Sequence, residues 1–318
     1  MQNKKKIEKI YKDIQDLEIQ GATNVAISTL EGIKIGLDRT YDGYEDMIKT
    51  VLEIGRYLAY ARPNEPLAQN AVLYIQHMFE EKSIYNLPIE EGKERFKELC
   101  DKFLDKIEGE KNKIVELNAL KLKHIDHILT HCHSSTAVSL IKGIAEGDND
   151  FTAVCTETRP KYQGHITAQE LLDAGIDTTL IADSAAESFV IGRGSKSVSE
   201  VFIGCDVMTM KGHCINKIGS WGIAMSAYQS GKPLYVVTPL LKIDHDSGYY
   251  DIKIEIRENK ELWKDAPKGL QMYNPAFEVV DAGLIAGFIT EFGILKPEEI
   301  AHVVKKEYPW LFVKKNYY

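Results

Sequence analysis

The feature that most constrains this chain is a change of pattern near residue 120. Before it, apolar residues recur every three or four positions. In residues 3 to 18, Ile7, Ile10, Tyr11, Ile14 and Leu17 make one apolar stripe of an amphipathic helix. A second helix is expected near Gly21, and further ones over 43–61, 66–82 and 90–118, the last carrying Phe96, Leu99, Phe103, Ile107, Ile114 and Leu117. After residue 120, short runs rich in Ile and Val (124–130, 151–156, 177–182, 199–205 and 233–238) alternate with helical stretches near 134–146, 167–174, 185–191 and 215–230. Such alternation predicts a parallel sheet with helices on both faces. The expected fold is α/β: a helical N-terminal domain, 1–119, followed by a Rossmann-like doubly wound domain, 120–318.

The dinucleotide fingerprint of such folds is missing, because the nearest glycine cluster, Gly192 and Gly194, follows a helix rather than a strand. With 39 Lys+Arg against 47 Asp+Glu the net charge is -8, which argues against a protein that wraps nucleic acid. No run reaches the roughly 20 apolar residues of a membrane span, and no signal peptide is visible, so a cytoplasmic protein is expected. Five cysteines at irregular spacing, with no pair two residues apart, argue against a disulfide frame or a zinc knuckle.

Ligands of open α/β sheets bind beyond the carboxyl ends of the strands, where loops and helix N-termini meet. Those ends read Thr130 to Thr136, Glu157 to Pro160, Asp183-Ser184, Gly204 to Asp206 and Thr238 to Lys242. Together they suggest a small-molecule site with a thiol, carboxylates and cations, and a Ser/Thr-rich helix start able to receive phosphate. Each residue also has a plainer explanation. Cys132 alone reads as a buried thiol, although a helix start could activate it. His131 and His133 resemble metal ligands, but strand alternation would turn both away from Cys132, and no third ligand follows. Asp183 and Asp206 suit turns or caps, and Cys155, Cys205 and Cys214 suit packing. Arg62 and Arg159, each before a proline, could make surface ion pairs. Asn216 and Lys217 are expected to open a helix, where the macrodipole disfavours a cation; that placement suggests an anion between them.

The strings THCHSSTAVSLIKG (130–143), TETRPKYQGHITAQEL (156–171), IGCDVMTMKGHCINKIG (203–219) and YNPAFEVV (273–280) resemble the family shared by ribose-1,5-bisphosphate isomerase, methylthioribose-1-phosphate isomerase and the regulatory subunits of eukaryotic initiation factor 2B. The resemblance covers nearly the whole chain, including Gly21-Ala22 and Ala61-Arg62-Pro63. One departure is Gln20, where the family usually shows Arg before Gly-Ala. Catalytic members keep the cysteine and aspartate found here as Cys132 and Asp206, so the resemblance implies an enzyme, an aldose-ketose isomerase needing no cofactor. It implies substrate contacts from Gly21, Ala22, Arg62, Ser134, Ser135, Arg159, Asn216, Lys217 and Lys242, with the arginines and Lys242 on phosphate oxygens. The CHSS string, Lys242 and the ETRPKYQG segment lean toward ribose 1,5-bisphosphate over methylthioribose 1-phosphate; a non-catalytic, nucleotide-binding module is the remaining alternative. Implied partners are a phosphorylated pentose and further copies of the chain, as a dimer or a hexamer, with neither nucleic acid nor membrane. Acid catalysis by Asp206 calls for a dry pocket around it.

Overall fold

The computed structural model describes residues 2–79, 87–122, 125–147, 150–247 and 252–312. These form two compact units: Met1–Gly109 with Leu241–His245 and His302–Tyr318, and Glu110–Leu240 with Asp246–Ala301. The division falls ten residues before the sequence boundary. It also assigns Lys242 to the first unit, which residue order gives no means of seeing.

The first unit contains helices α1 (Gln2–Gln15), α2 (Ala22–Leu37), α3 (Tyr44–Ala59), α4 (Pro66–Phe79) and most of α5 (Ile89–Asn118). They match the expected helices closely; residues 80–82 of the predicted fourth helix lie outside the described residues. Val25, Leu30, Ile33, Val51, Leu58, Leu67, Phe96 and Phe103 are buried, as the apolar stripes require.

The second unit is built on β1 (His127–His131), α6 (Ser135–Ala145), β2 (Thr152–Thr156), α7 (Gln163–Asp173), β3 (Asp177–Ile181), α8 (Ala186–Val190) and β4 (Glu200–Ile203). A hairpin follows, β5 (Val207–Thr209) and β6 (Cys214–Lys217), then α9 (Ser220–Gln229) and β7 (Leu234–Val237). The two-residue strand β8 (Ile243–Asp244) lies in the first unit. The chain then gives α10 (Asn259–Leu262), β9 (Phe277–Val280), β10 (Gly287–Thr290), β11 (Gly293–Leu295) and α11 (Ile300–Glu307), the last belonging to the first unit from His302 onward.

The main sheet has the order β11-β10-β7-β4-β1-β2-β3, parallel except for β11 at one edge. Its inner strands β1 and β2 are buried on both faces after their first residue, so they show no alternation of apolar and polar positions. Strand β3, at the other edge, is partly exposed and correspondingly polar. Ile128, Ala153, Phe202, Val237 and Ile289 of the sheet share one core with Val138, Ile141 and Ile144 of α6. Residue 124 of the predicted first strand is outside the described residues.

One sequence expectation fails. The stretch 215–230 is not a single helix: residues 214–217 are strand β6, paired antiparallel with β5 and β9, and α9 starts only after Gly219. Gly219 has φ 106°, a left-handed conformation that breaks the apolar pattern into strand and helix.

Candidate active site

Because β7, β4, β1, β2 and β3 run parallel, their carboxyl ends share one rim, as the sequence implies. Strand β1 ends at His131, and Cys132 leaves it with φ 70°. Thr158, beyond the end of β2, has φ 62°, an outlier for a β-branched residue. Conformations of this kind cost about 1–3 kcal/mol each and persist only where neighbours fix them. Here the fixing groups are visible. The Cys132 N–H donates to Thr158 Oγ1 at 3.0 Å, and the Cys132 carbonyl accepts from Thr167 Oγ1 at 2.9 Å. The Asp183 carboxylate, beyond β3, accepts the Thr158 and Arg159 N–H groups on its two oxygens, each at 2.7 Å. Asp183 is therefore a backbone clamp for the loop that holds Cys132.

Burial pushes the Cys132 thiol up to about 11; the Lys217 charge opposes this, and the charges of Asp206 and Asp183 add to it. The thiol, Asp206, Asp183 and Lys217 thus share one electrostatic neighbourhood built from the ends of β1, β4, β3 and β6. Asp206 sits at the turn from β4 to β5, its N–H donating to the Ile215 carbonyl at 2.9 Å. Its neighbours Gly204, Cys205 and Val207 are buried, but Asp206 is partly exposed in this chain, so the dry enclosure expected around it is incomplete. The β4 end also meets the start of α6. A Cβ on Gly204 would fall 2.5 Å from the Ser134 Cβ, so glycine lets the two chains approach. Ser134 is the N-cap of α6, accepting from the Ala137 N–H at 3.3 Å, a role worth about 1 kcal/mol. Ser135, the first helical residue, is exposed.

Other sequence candidates fall into place differently. The two histidines do not share a face, because the strand stops between them. The His131 ring lies against Thr156 Oγ1 at 2.7 Å and the Ile218 carbonyl at 2.9 Å, whereas His133 Nδ1 meets Thr167 Oγ1 at 3.0 Å and its Nε2 lies 3.8 Å from Glu170. Burial lowers the pKa of both. Among the described residues no group of three or more His, Cys, Asp or Glu side chains could hold a metal ion. Asn216 and Lys217 end β6 rather than open a helix. The anion at the start of α9 is the Glu278 carboxylate, whose Oε1 accepts the N–H groups of Gly219 at 2.6 Å and Trp221 at 2.9 Å. Asn216 donates to Ser220 Oγ at 2.9 Å, and the Lys217 ammonium lies 4.9 Å from the Phe277 ring centre. Exposed Arg159 donates to the Tyr162 hydroxyl at 2.6 Å and the Leu262 carbonyl at 3.2 Å, so its guanidinium ties the loop to α10. Cys155, Cys205 and Cys214 are buried packing residues.

In the first unit, Gly21 (φ 85°) is the N-cap of α2 and Ala22 its buried first residue. Arg62 is buried and pairs with Glu65 at 2.8 Å, and Lys242, also buried, ends a 3-10 turn.

The initiation factor 2 subunit family model matches residues 18–297. The chain is 33% identical over 310 residues to a ribose 1,5-bisphosphate isomerase of Methanocaldococcus jannaschii, covering 96% of each. It is also 33% identical to a methylthioribose-1-phosphate isomerase of Symbiobacterium thermophilum, covering 91% of this chain and 84% of the relative. The solved structure of 5-methylthioribose 1-phosphate isomerase from Pyrococcus horikoshii superposes with a TM-score of 0.77 at 25% identity, over 95% of this chain and 87% of that one. With the helical unit, the parallel sheet and the strand-end cysteine and aspartate all in place, the chain belongs to the initiation factor 2 subunit family.

Proposed function

We propose that the protein is a sugar-phosphate isomerase that converts ribose 1,5-bisphosphate to ribulose 1,5-bisphosphate by acid and base catalysis, without a cofactor. The observation that carries this is the placement of Cys132 and Asp206 just beyond the carboxyl ends of the adjacent strands β1 and β4. The chain holding them is 28% to 33% identical, over 96% of its length, to two archaeal proteins named as isomerases of that sugar.

The chemistry accounts for the pair. A furanose phosphorylated at C1 cannot open by releasing a free aldehyde. Asp206, as the acid, gives a proton to the ring oxygen as the C1–O bond breaks. The Cys132 thiolate takes the hydrogen from C2, leaving an enol, and returns it to C1. The C2 hydroxyl proton passes to the Asp206 carboxylate, and the ketose is complete with both groups restored. Lys217 favours the thiolate and stands at the sugar end with Asn216. Ser134 and Ser135 offer hydroxyl and helix-start donors to a phosphate. Arg159 spends two of its five N–H groups on Tyr162 and Leu262 and has others to offer a phosphate. The phosphate roles of Gly21, Ala22, Arg62 and Lys242 rest on the family resemblance.

Methylthioribose 1-phosphate is the second reading, favoured by the equal identity to the bacterial enzyme named for it. Separate incubation with ribose 1,5-bisphosphate, methylthioribose 1-phosphate and ribose 1-phosphate, with ketose formation followed by NMR, decides between them. Fastest turnover of the bisphosphate is expected, and turnover of none refutes an isomerase. Among the described residues no helix is long and apolar enough to cross a membrane; a cytoplasmic homo-oligomer, dimer or hexamer, is the accompanying proposal, tested by light scattering.

A further inference from the structure

We infer that His131 is a positioning residue that ties the Cys132 loop to the Lys217 strand end through a hydrogen-bond chain of fixed direction. The inference rests on the site assignment above, since it gives a purpose to holding these two residues together.

The direction follows from which groups can donate. The Ile218 carbonyl, 2.9 Å from His131 Nε2, can only accept, so Nε2 carries the proton. The ring is buried, which favours the neutral imidazole, and Nδ1 is then an acceptor. The Thr156 hydroxyl, 2.7 Å away, donates to it. With that proton committed, Thr156 Oγ1 can only accept from Thr158 Oγ1 at 3.3 Å, whose proton is shared with the Thr156 carbonyl at 3.4 Å. Thr158 Oγ1 in turn accepts the Cys132 N–H at 3.0 Å. The chain runs from the Cys132 backbone through Thr158, Thr156 and His131 to the carbonyl of Ile218, the residue after Lys217. One buried ring thereby joins the loop that presents the thiol to the strand end that carries its cation.

The packing agrees. A Cβ on Gly219 would lie 3.2 Å from two atoms of the His131 ring, so the strand end closes directly on the imidazole. The charges that act on the thiol are Lys217 from β6, Asp206 from the turn after β4 and Asp183 from beyond β3. Of these, Lys217 adjoins the residue that His131 holds. Losing the ring should weaken its hold on the thiolate.

The test reads Cys132 alkylation by iodoacetamide, resolved by peptide mass spectrometry between pH 7 and 11, on the full-length protein. His131→Phe keeps the ring shape and removes both nitrogens; His131→Gln restores one donor and one acceptor. Since one pKa unit is a tenfold change in thiolate, His131→Phe should slow alkylation at pH 8 by about 3- to 10-fold, with His131→Gln within about twofold of wild type. With ribose 1,5-bisphosphate, kcat should fall about 10- to 100-fold while KM moves less than about threefold. A folded His131→Phe protein with the wild-type alkylation profile overturns the proposal, as does a His131→Gln protein that recovers nothing. If His131→Phe does not fold, Thr156→Val decides on the same reading: slower alkylation supports the chain, and an unchanged profile overturns it. Absence of turnover by the wild type would remove the isomerase reading but leave this thiol measurement intact.

Discussion

Replacing Asp183 with Asn should move stability and thiol chemistry in opposite senses. In the native loop each carboxylate oxygen accepts one backbone N–H at 2.7 Å, from Thr158 and Arg159. Hydrogen bonds to a charged acceptor are worth about 1.5–3 kcal/mol each, and neutral ones about 0.5–1.5. Asn keeps one acceptor, now neutral, and turns an amide N–H toward the other donor. One weakened bond (about 1–1.5 kcal/mol) and one lost bond (about 1.5–3) sum to about 2.5–4.5 kcal/mol, and partial exposure of Asp183 places the expected cost near the lower end, about 2.5 kcal/mol. Urea unfolding followed by circular dichroism measures it. The same carboxylate charge raises the pKa of the Cys132 thiol, so its removal should shift the midpoint of Cys132 alkylation to lower pH. A looser loop would raise the plateau rate of alkylation without moving the midpoint, which separates electrostatics from exposure. A loss below about 0.5 kcal/mol, or a midpoint that moves upward, would refute Asp183 as clamp and charge together.

Three further outcomes are expected. Cys132→Ser and Asp206→Asn should fold like wild type and each lose about 10²- to 10⁴-fold in turnover of ribose 1,5-bisphosphate, as read by NMR; near-wild-type rates in either would remove that residue from the mechanism. With the thiol held at about 11, alkylation of wild-type Cys132 by iodoacetamide should rise about tenfold per pH unit between pH 7 and 9, and a flat profile would show that burial does not hold the thiol up. Burial raises the pKa of Glu200, whose Oε2 is enclosed without a hydrogen-bond partner. For a raised carboxyl, stability is fullest below the ordinary value of 4.5 and declines as pH rises through the folded value. Glu200→Gln should therefore melt higher than wild type at pH 7.5 and alike at pH 4, by calorimetry; a lower melting point at pH 7.5 would show that the carboxylate has a favourable partner.

The parallel strands were legible because short, mostly apolar runs alternate with helical stretches, the pattern of strands buried between two layers of helices. Strand ends then pointed to Cys132 and Asp206 by position. The β5–β6 hairpin was harder, since strands of three and four residues show little periodicity, and the apolar spacing of 215–230 runs on through Gly219. A four-residue gap containing Gly212 is a hairpin signal that could have found it. The roles of His131 and Asp183 were hidden for another reason: their partners are 25 and 87 residues away for the histidine and 24 and 25 for the aspartate, and only the folded sheet brings them together.

Lys217 shows how a sound electrostatic premise can reach the right place through a wrong contact. A lysine read at a helix start implies a neighbouring anion. In the fold Lys217 is a strand end, and the α9 terminus is satisfied internally by Glu278, reaching across from β9 to the N–H groups of Gly219 and Trp221. Had a ligand anion been needed to cap that helix, Lys217 would serve the cap. Because Glu278 already serves it, the lysine charge is left to act on Cys132 and His131, where it lowers the cost of a thiolate that burial and two carboxylates oppose. The anion that Lys217 favours is therefore the thiolate of Cys132.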